Sequence, residues 1–296
     1  YKNDFNDTTR ADVTEIPQAP VGWKISDNQS IRGYDAETKT IDPNDDSDLD
    51  AVGKDSNVVI EKENQKAVIR YVSTNGNRVL TTDEVTGKSG EAIAYSTTSQ
   101  INEFKKQGYN LVSDEFTAGG AKVYDYDTAR DQVYTVTLSE RVEPVNPDNP
   151  SPQPNTPVNP GQPDSPRWPG TVENLDNKES VSRTIHYVYE DGSKAKDDVV
   201  ETLNFKRWSN VNLVTGHIDF QDWTTNDDTF DKVVSPTIAG YTADKSEIPA
   251  VSGVQAKDQD RVETVTYRKD AQKAVIRYVS TNGNRVLTTD EVTGKS

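Results

Sequence analysis

The sequence predicts an α+β chain built from small, related modules. Three observations carry this reading. QKAVIRYVSTNGNRVLTTDEVTGKS stands at 65–89 and again, letter for letter, at 272–296. Ten of the fifteen prolines crowd into residues 143–170. Alternating apolar runs bounded by turn residues surround one stretch of helical spacing. A verbatim copy with its start moved from 65 to 272 points to a tandem array with a unit of about 200 residues, of which this chain is a part.

The first module reads in order. KAVIRYV (66–72), the Asn75-Gly76 turn and RVLTTDEV (78–85) form a β-hairpin. In 89–108, Ser and Thr residues stand ready as N-caps, Ile101 and Phe104 share a helical face, and Gly108 sits where a C′ glycine belongs. YNLVSDEF (109–116) and DQVYTVTLSERV (131–142) follow as strands around a Gly119-Gly120 turn. Two strands, one short helix and two strands give a small sheet with one covered face.

The pattern returns beyond the prolines in altered form. TIHYVYEDGS (184–193) aligns with VIRYVSTNGN (68–77), so Ile185 answers Ile69 and Tyr187 answers Tyr71. Gly240-Tyr241 answers Gly108-Tyr109, and VETVTY (262–267) answers VYTVTL (133–138). Strands within 201–223, turned at Thr215-Gly216, are additional. A short helix is expected near 225–234, ending before Pro236.

The divisions follow. Residues 1–64 read as a partial preceding module with an Asp-rich insertion, since GWKISDNQS (22–30) resembles 108–116 and NVVIEKE (57–63) resembles 133–139. Residues 65–143 and 171–270 are the two modules, and 271–296 is the opening hairpin of a further one. Residues 144–170 are expected to be a semi-rigid polyproline spacer, spanning roughly 80 Å at about 3.1 Å per residue. Modules so joined should stand end to end as an elongated rod.

Composition excludes several functions. Cysteine is absent, which removes disulfides and thiol nucleophiles, and His186 and His217 are the only histidines. No catalytic elbow or phosphate-binding loop is present, so the chain is not read as an enzyme. A net charge of −16 argues against nucleic acid and anionic membranes. No apolar run approaches the length of a membrane-crossing helix.

GYNLVSD with YDYDTARDQVYTVTL, and then TIHYVYEDGSKAKDDVVETLNFKR with WTTNDDTFDKVVSPTIAGYTADKSEIPAV, closely resemble the mucus-binding (Mub) repeats of lactobacilli. The resemblance covers 65–143 as a B1-type domain and 171–270 as a mucin-binding B2-type domain. It implies tandem ubiquitin-like β-grasp folds in an extracellular, cell-wall-anchored adhesin, whose signal and anchor lie outside this fragment. It also implies binding to mucin glycans and, in some repeats, to immunoglobulin. An immunoglobulin module working through an exposed β-edge, or a purely structural stalk, are the alternatives. The fragment itself is expected to be monomeric.

Site residues are few. Sugar faces stack on Trp or Tyr, with carboxylates and amides fixing the hydroxyls. Trp208 and Trp223 flank the additional strands, with Asp222 beside the latter, and these three are the candidate ligand residues. Core packing of either Trp is the alternative reading. No organic cofactor is expected, but calcium is a candidate ion. Asp125, Asp127 and Asp131 place three carboxylates on one loop, as a hard cation requires. Residues 42–50 start like a calcium loop, although Ser47 holds the glycine position and Gly53 the closing glutamate position.

Overall fold

A computed structural model describes residues 14–31, 33–42 and 57–295. The Asp-rich residues 43–50, and with them most of the second calcium reading, lie outside the described residues. The chain divides into two compact units, one of 1–141 with 157–167 and one of 142–156 with 168–296.

The first unit opens with short strands β1 (Thr14–Glu15), β2 (Trp23–Ile25), β3 (Tyr34–Asp35), β4 (Thr40–Ile41) and β5 (Ile60–Lys62). β4 lies between β1 and β3, and β2 pairs antiparallel with β5. A four-stranded sheet follows in the order β7-β6-β9-β8, from β6 (Asn64–Ser73), β7 (Arg78–Lys88), β8 (Tyr109–Asp114) and β9 (Gln132–Glu140). β6 pairs antiparallel with β7 and parallel with β9, from Ala67 opposite Gln132 to Ser73 opposite Leu138.

Helix α1 (Thr98–Lys106) covers this sheet with Ile101 and Phe104, both buried. Tyr71 meets Phe104 at 5.7 Å between ring centroids, and Phe104 meets Tyr109 edge-on at 5.6 Å. The Tyr95 hydroxyl links to Tyr71 at 2.8 Å and donates to Asp83. Burial and the Asp83 carboxylate together raise the Tyr95 pKa far above that of an ordinary phenol. Thr97, at the N-cap, makes no side-chain cap bond and its hydroxyl donates to Asp114 at 2.6 Å, while Ser96 Oγ accepts from Thr98 N at 3.3 Å. The C-terminal expectation holds: Gly108, at φ 97°, donates to the Lys105 carbonyl.

One junction recurs three times. Gly22, Gly108 and Gly240 have φ of 82°, 97° and 80°, a region glycine enters without strain. Their carbonyls accept from Glu63, Arg141 and Asp270 N–H at 2.8, 2.8 and 2.9 Å. An aromatic follows each glycine, and Trp23, Tyr109 and Tyr241 stand opposite Lys62, Glu140 and Lys269. The β2–β5 pair thus repeats the geometry of β8–β9, as the sequence likeness of 22–30 to 108–116 suggests.

The second unit begins at β10 (Val142–Val145), which straddles the expected boundary between the first module and the spacer at 143/144. The semi-rigid polyproline spacer expected at 144–170 is therefore corrected, because its first residues pair in a sheet and 157–167 belong to the first unit. Pro144 sits on an edge strand, where a missing N–H is tolerated, and Val145 is buried with Val172 and Val211. Residues 157–167 fold with the first unit as a closed loop, in which Val158 donates to Pro166 and Asn159 to the Ser165 hydroxyl.

The main sheet of this unit uses β11 (Lys178–Tyr189) and β12 (Lys194–Lys206). After them come β13 (Ser209–Asn212), β14 (Ile218–Phe220), β15 (Val233–Val234), β16 (Tyr241–Ala243), β17 (Glu247–Ile248) and β18 (Arg261–Lys269). The order β12-β11-β18-β16 repeats that of the first unit, with β11 and β18 parallel. β13 lies between β10 and β14, and β15 pairs with β17.

The α-helix expected at 225–234 does not form, and the short helix of the second unit is instead a 3₁₀ helix at Gly170–Asn174. Thr225 Oγ1 accepts from Asp227 N, and Asp227 Oδ1 accepts from Thr229 N. Short polar side chains thus capture the amides a helix would use. The Asp231 carbonyl goes instead to Arg183, a side chain only 1% exposed. Arg183 also donates to Glu201 and Pro249 and lies 5.1 Å over the Phe230 ring. The last pair, β19 (Ala271–Val279) and β20 (Val286–Lys295), is a two-stranded hairpin exposed throughout. Among the described residues, no helix is long and apolar enough to cross a membrane.

Candidate functional site

A cleft of about 500 Å³ opens in the second unit. Its walls are Lys178 and Glu179 at the start of β11, residues 202–206 of β12, and the loop 224–227. Strand alternation buries Leu203 and Phe205 and leaves Thr202 and Asn204 outward. The loop is stitched to the edge of β12. Lys206 and Thr224 exchange both backbone hydrogen bonds at 2.9 and 2.8 Å, and the Thr225 hydroxyl donates to Asn204 O at 2.8 Å.

Among the described residues, no protein group pairs with the side chains of Lys178, Thr202, Asn204 or Asn226. Two amides, a hydroxyl and an ammonium group are therefore available in one cleft. Glu179 is held by Lys257, and Lys206 by Asp148 at 2.9 Å. This is a surface for neutral polar ligands, carrying donors and acceptors but no nucleophile with an adjacent base.

None of the three residues read as ligand contacts lines the cleft. Trp223 is half-buried against Val181, Leu203, Phe205 and Phe230, so the packing alternative describes it. The Arg207 guanidinium sits 4.3 Å from its ring centroid and 4.0 Å from that of Phe220, and Lys257 approaches it to 5.5 Å. Trp208 is 43% exposed, and its carbonyl accepts from Gln221 N. Asp222 is exposed.

Asp176 completes this stack, accepting from Arg207 at 2.9 Å and from Lys257 at 2.8 Å. Burial alone would raise its pKa, but the Lys257 hydrogen bond and the charges of Lys257 and Arg207 outweigh it, and the net shift is downward. The stabilisation is present above the ordinary carboxylate pKa and is lost as pH falls through the depressed value.

One carboxylate oxygen of each of Asp125, Asp127 and Asp131 has a protein partner. Asp125 accepts from Asp127 N, Asp127 accepts from Ala129 N, and Asp131 pairs with Lys66 at 2.8 Å. Among the described residues, no three His, Asp or Glu side chains gather as a metal site. His186 Nδ1 lies 2.9 Å from Asp198 on the exposed face of β11.

Sequence reasoning missed Arg207, Asn204, Thr225 and Asn226. The one local signal was FKRW (205–208), a cation between aromatics.

A model of the Muc B2-like domain matches residues 172–271, and one of the mucin binding domain matches 65–140. The chain belongs to the mucus-binding (Mub) repeat family. The crystal structure of Mub-RV is 26% identical over 70% of this chain and 99% of its own, with TM-score 0.55. The type 2 repeat of the mucus binding protein MUB from Lactobacillus reuteri is 28% identical over 70% of this chain and 100% of its own, with TM-score 0.47. The MucBP domain of an adhesion protein from Pediococcus pentosaceus is 36% identical over 31% of this chain and 98% of its own, with TM-score 0.28. No curated protein matches. The cleft of this Mub repeat lies wholly within its Muc B2-like domain.

Proposed function

We propose that this Mub repeat is part of an extracellular, wall-anchored adhesin and binds mucin glycoproteins through saccharide hydroxyls in the 178–227 cleft. The observation that carries the reading is the set of unpaired polar side chains there, beside a loop fixed to β12. Trp208, a residue 43% exposed, and Asp222 are proposed as a flanking subsite, with Trp223 as their support. A single shallow site binds weakly, and repetition multiplies it by about 10² to 10⁴ through effective concentration. We also read each four-stranded sheet as a ubiquitin-like β-grasp, on the support of its central parallel pair flanked by antiparallel strands.

The test is a glycan array and a mucin-binding assay on wild type and Asn204→Ala/Asn226→Ala. Each lost hydrogen bond removes about 0.5–1.5 kcal/mol, so the double variant should bind about fivefold or more weakly. Its fold should be unchanged, since neither amide has a protein partner. With a chain of charge −16, ion pairing with acidic mucin is not the source of affinity, and binding should persist as sodium chloride rises. Removing calcium should change nothing. Unaltered binding by the double variant, or a steep loss with salt, sinks this site. Binding that survives deglycosylation of the mucin sinks the saccharide reading itself.

A further inference from the structure

A second cleft, of about 370 Å³, lies wholly within the first unit. Its walls are the second half of α1, the start of β8, Arg141 and the loop 159–166. That loop lies outside both matched domain regions, 65–140 and 172–271. Its own bonds fix its shape. Asn159 N donates to Ser165 Oγ at 2.8 Å, Gln162 N to Asn159 O at 3.2 Å, and Ser165 N to Gln162 O at 3.1 Å. Lys106 Nζ ties the loop to α1, lying 3.5 Å from Asp164 and 3.0 Å from Glu103.

Its chemistry differs from that of the 178–227 cleft. Asp164 is the one carboxylate in the lining, and Lys106 holds it. Among the described residues, no protein group pairs with the Lys105 ammonium group or with the side-chain amides of Asn102, Asn110, Asn159 and Gln162. The carbonyls of residues 103–105 accept from Gln107 and Gly108 N–H, so the helix end does not turn open carbonyls on an incoming anion. One cation and four amides, set on three separate elements, offer donors from several sides. A sulfate ester suits that arrangement, since its charge is spread over three oxygens that point apart. A carboxylate is planar and is best met by the two-pronged fork of an arginine. Arg141, the arginine of this cleft, already has a partner.

We propose that this cleft of the first unit binds the sulfate group of a sulfated saccharide. Lys105 pairs with the sulfate, and the four amides donate to its oxygens and to neighbouring sugar hydroxyls. The repeat then carries two unlike sites, a neutral one in the second unit and an anion-reading one in the first. The sugar class rests on the saccharide reading above, whereas the anion site stands on Lys105 and the amides around it.

The test is calorimetric titration of the full chain with galactose 6-sulfate, galactose, galacturonic acid and inorganic sulfate. The sulfated sugar should bind at least about fivefold more tightly than each of the other three. Lys105→Gln should weaken it about fivefold, with melting unchanged because the side chain is exposed and unpaired. Rising sodium chloride should weaken it as well, since an exposed ion pair is screened. Asn204→Ala/Asn226→Ala should leave it untouched, so the two clefts fail separately. Equal binding of galactose or galacturonic acid, or an affinity indifferent to Lys105→Gln, overturns the proposal. Inorganic sulfate binding as tightly as the sulfated sugar overturns it too, because the sugar then contributes nothing at this site.

Discussion

Replacing Arg183 by alanine should destabilise the second unit by about 3–5 kcal/mol. The guanidinium is 1% exposed and holds four things together: the Glu201 carboxylate, the Asp231 and Pro249 carbonyls, and the face of Phe230. Truncation leaves two carbonyls without their donor, a carboxylate without its counter-charge, and a cavity beside Phe230. Three of the four tryptophans, Trp168, Trp208 and Trp223, belong to this unit. Their fluorescence in a urea titration reads its unfolding. A loss below about 1 kcal/mol would show that the arginine is replaceable packing. The first unit offers an internal comparison, because the position aligned with Arg183 is the buried Ala67.

Ile69→Ala should cost about 2–4 kcal/mol, and Ile276→Ala less than about 0.5 kcal/mol. The two isoleucines have identical neighbours in sequence for several residues on either side. They differ only in cover, at 0% against 45% exposure. Thermal unfolding followed by tyrosine signals separates the cases. Equal losses would mean that strand propensity, rather than burial, sets the cost at this position.

What was legible in the sequence was local. Asn75-Gly76 announced its hairpin, although the two left-handed residues are Gly76 and Asn77, one position further on, and Ile101 with Phe104 announced α1 through spacing alone. The matched Gly-Tyr pairs foretold strand starts that the structure repeats at Gly108 and Gly240. Reading failed where one side chain had two outlets. Thr97 can cap a helix or bind Asp114, and only the fold chooses. Thr225 and Asp227 looked compatible with a helix until their side chains took its amides. The prolines suggested a spacer because their lack of donors excludes a sheet interior, yet an edge strand accommodates Pro144. The cleft was invisible for a different reason: Lys178, Asn204 and Asn226 are far apart in sequence, and only the β11–β12 pairing and the stitched loop bring them together. Trp223 drew attention by its type, but its ring is committed to the core and to Arg207.

The parallel central pairs decide how each sheet answers a pull. In the first four-stranded sheet, the chain enters through β6 and leaves through β9, side by side from Ala67–Gln132 to Ser73–Leu138. In the second, β11 and β18 play those parts from Arg183–Arg261 to Tyr189–Tyr267. Tension drawn along the chain drags such neighbours in opposite directions along their length. The hydrogen bonds between them are then loaded together, in shear, and the rupture of one does not hand the whole load to the next. An antiparallel pair pulled from its open end, such as β19 and β20, would unzip one bond at a time. Under flow, the sheets should hold at forces that open the hairpin.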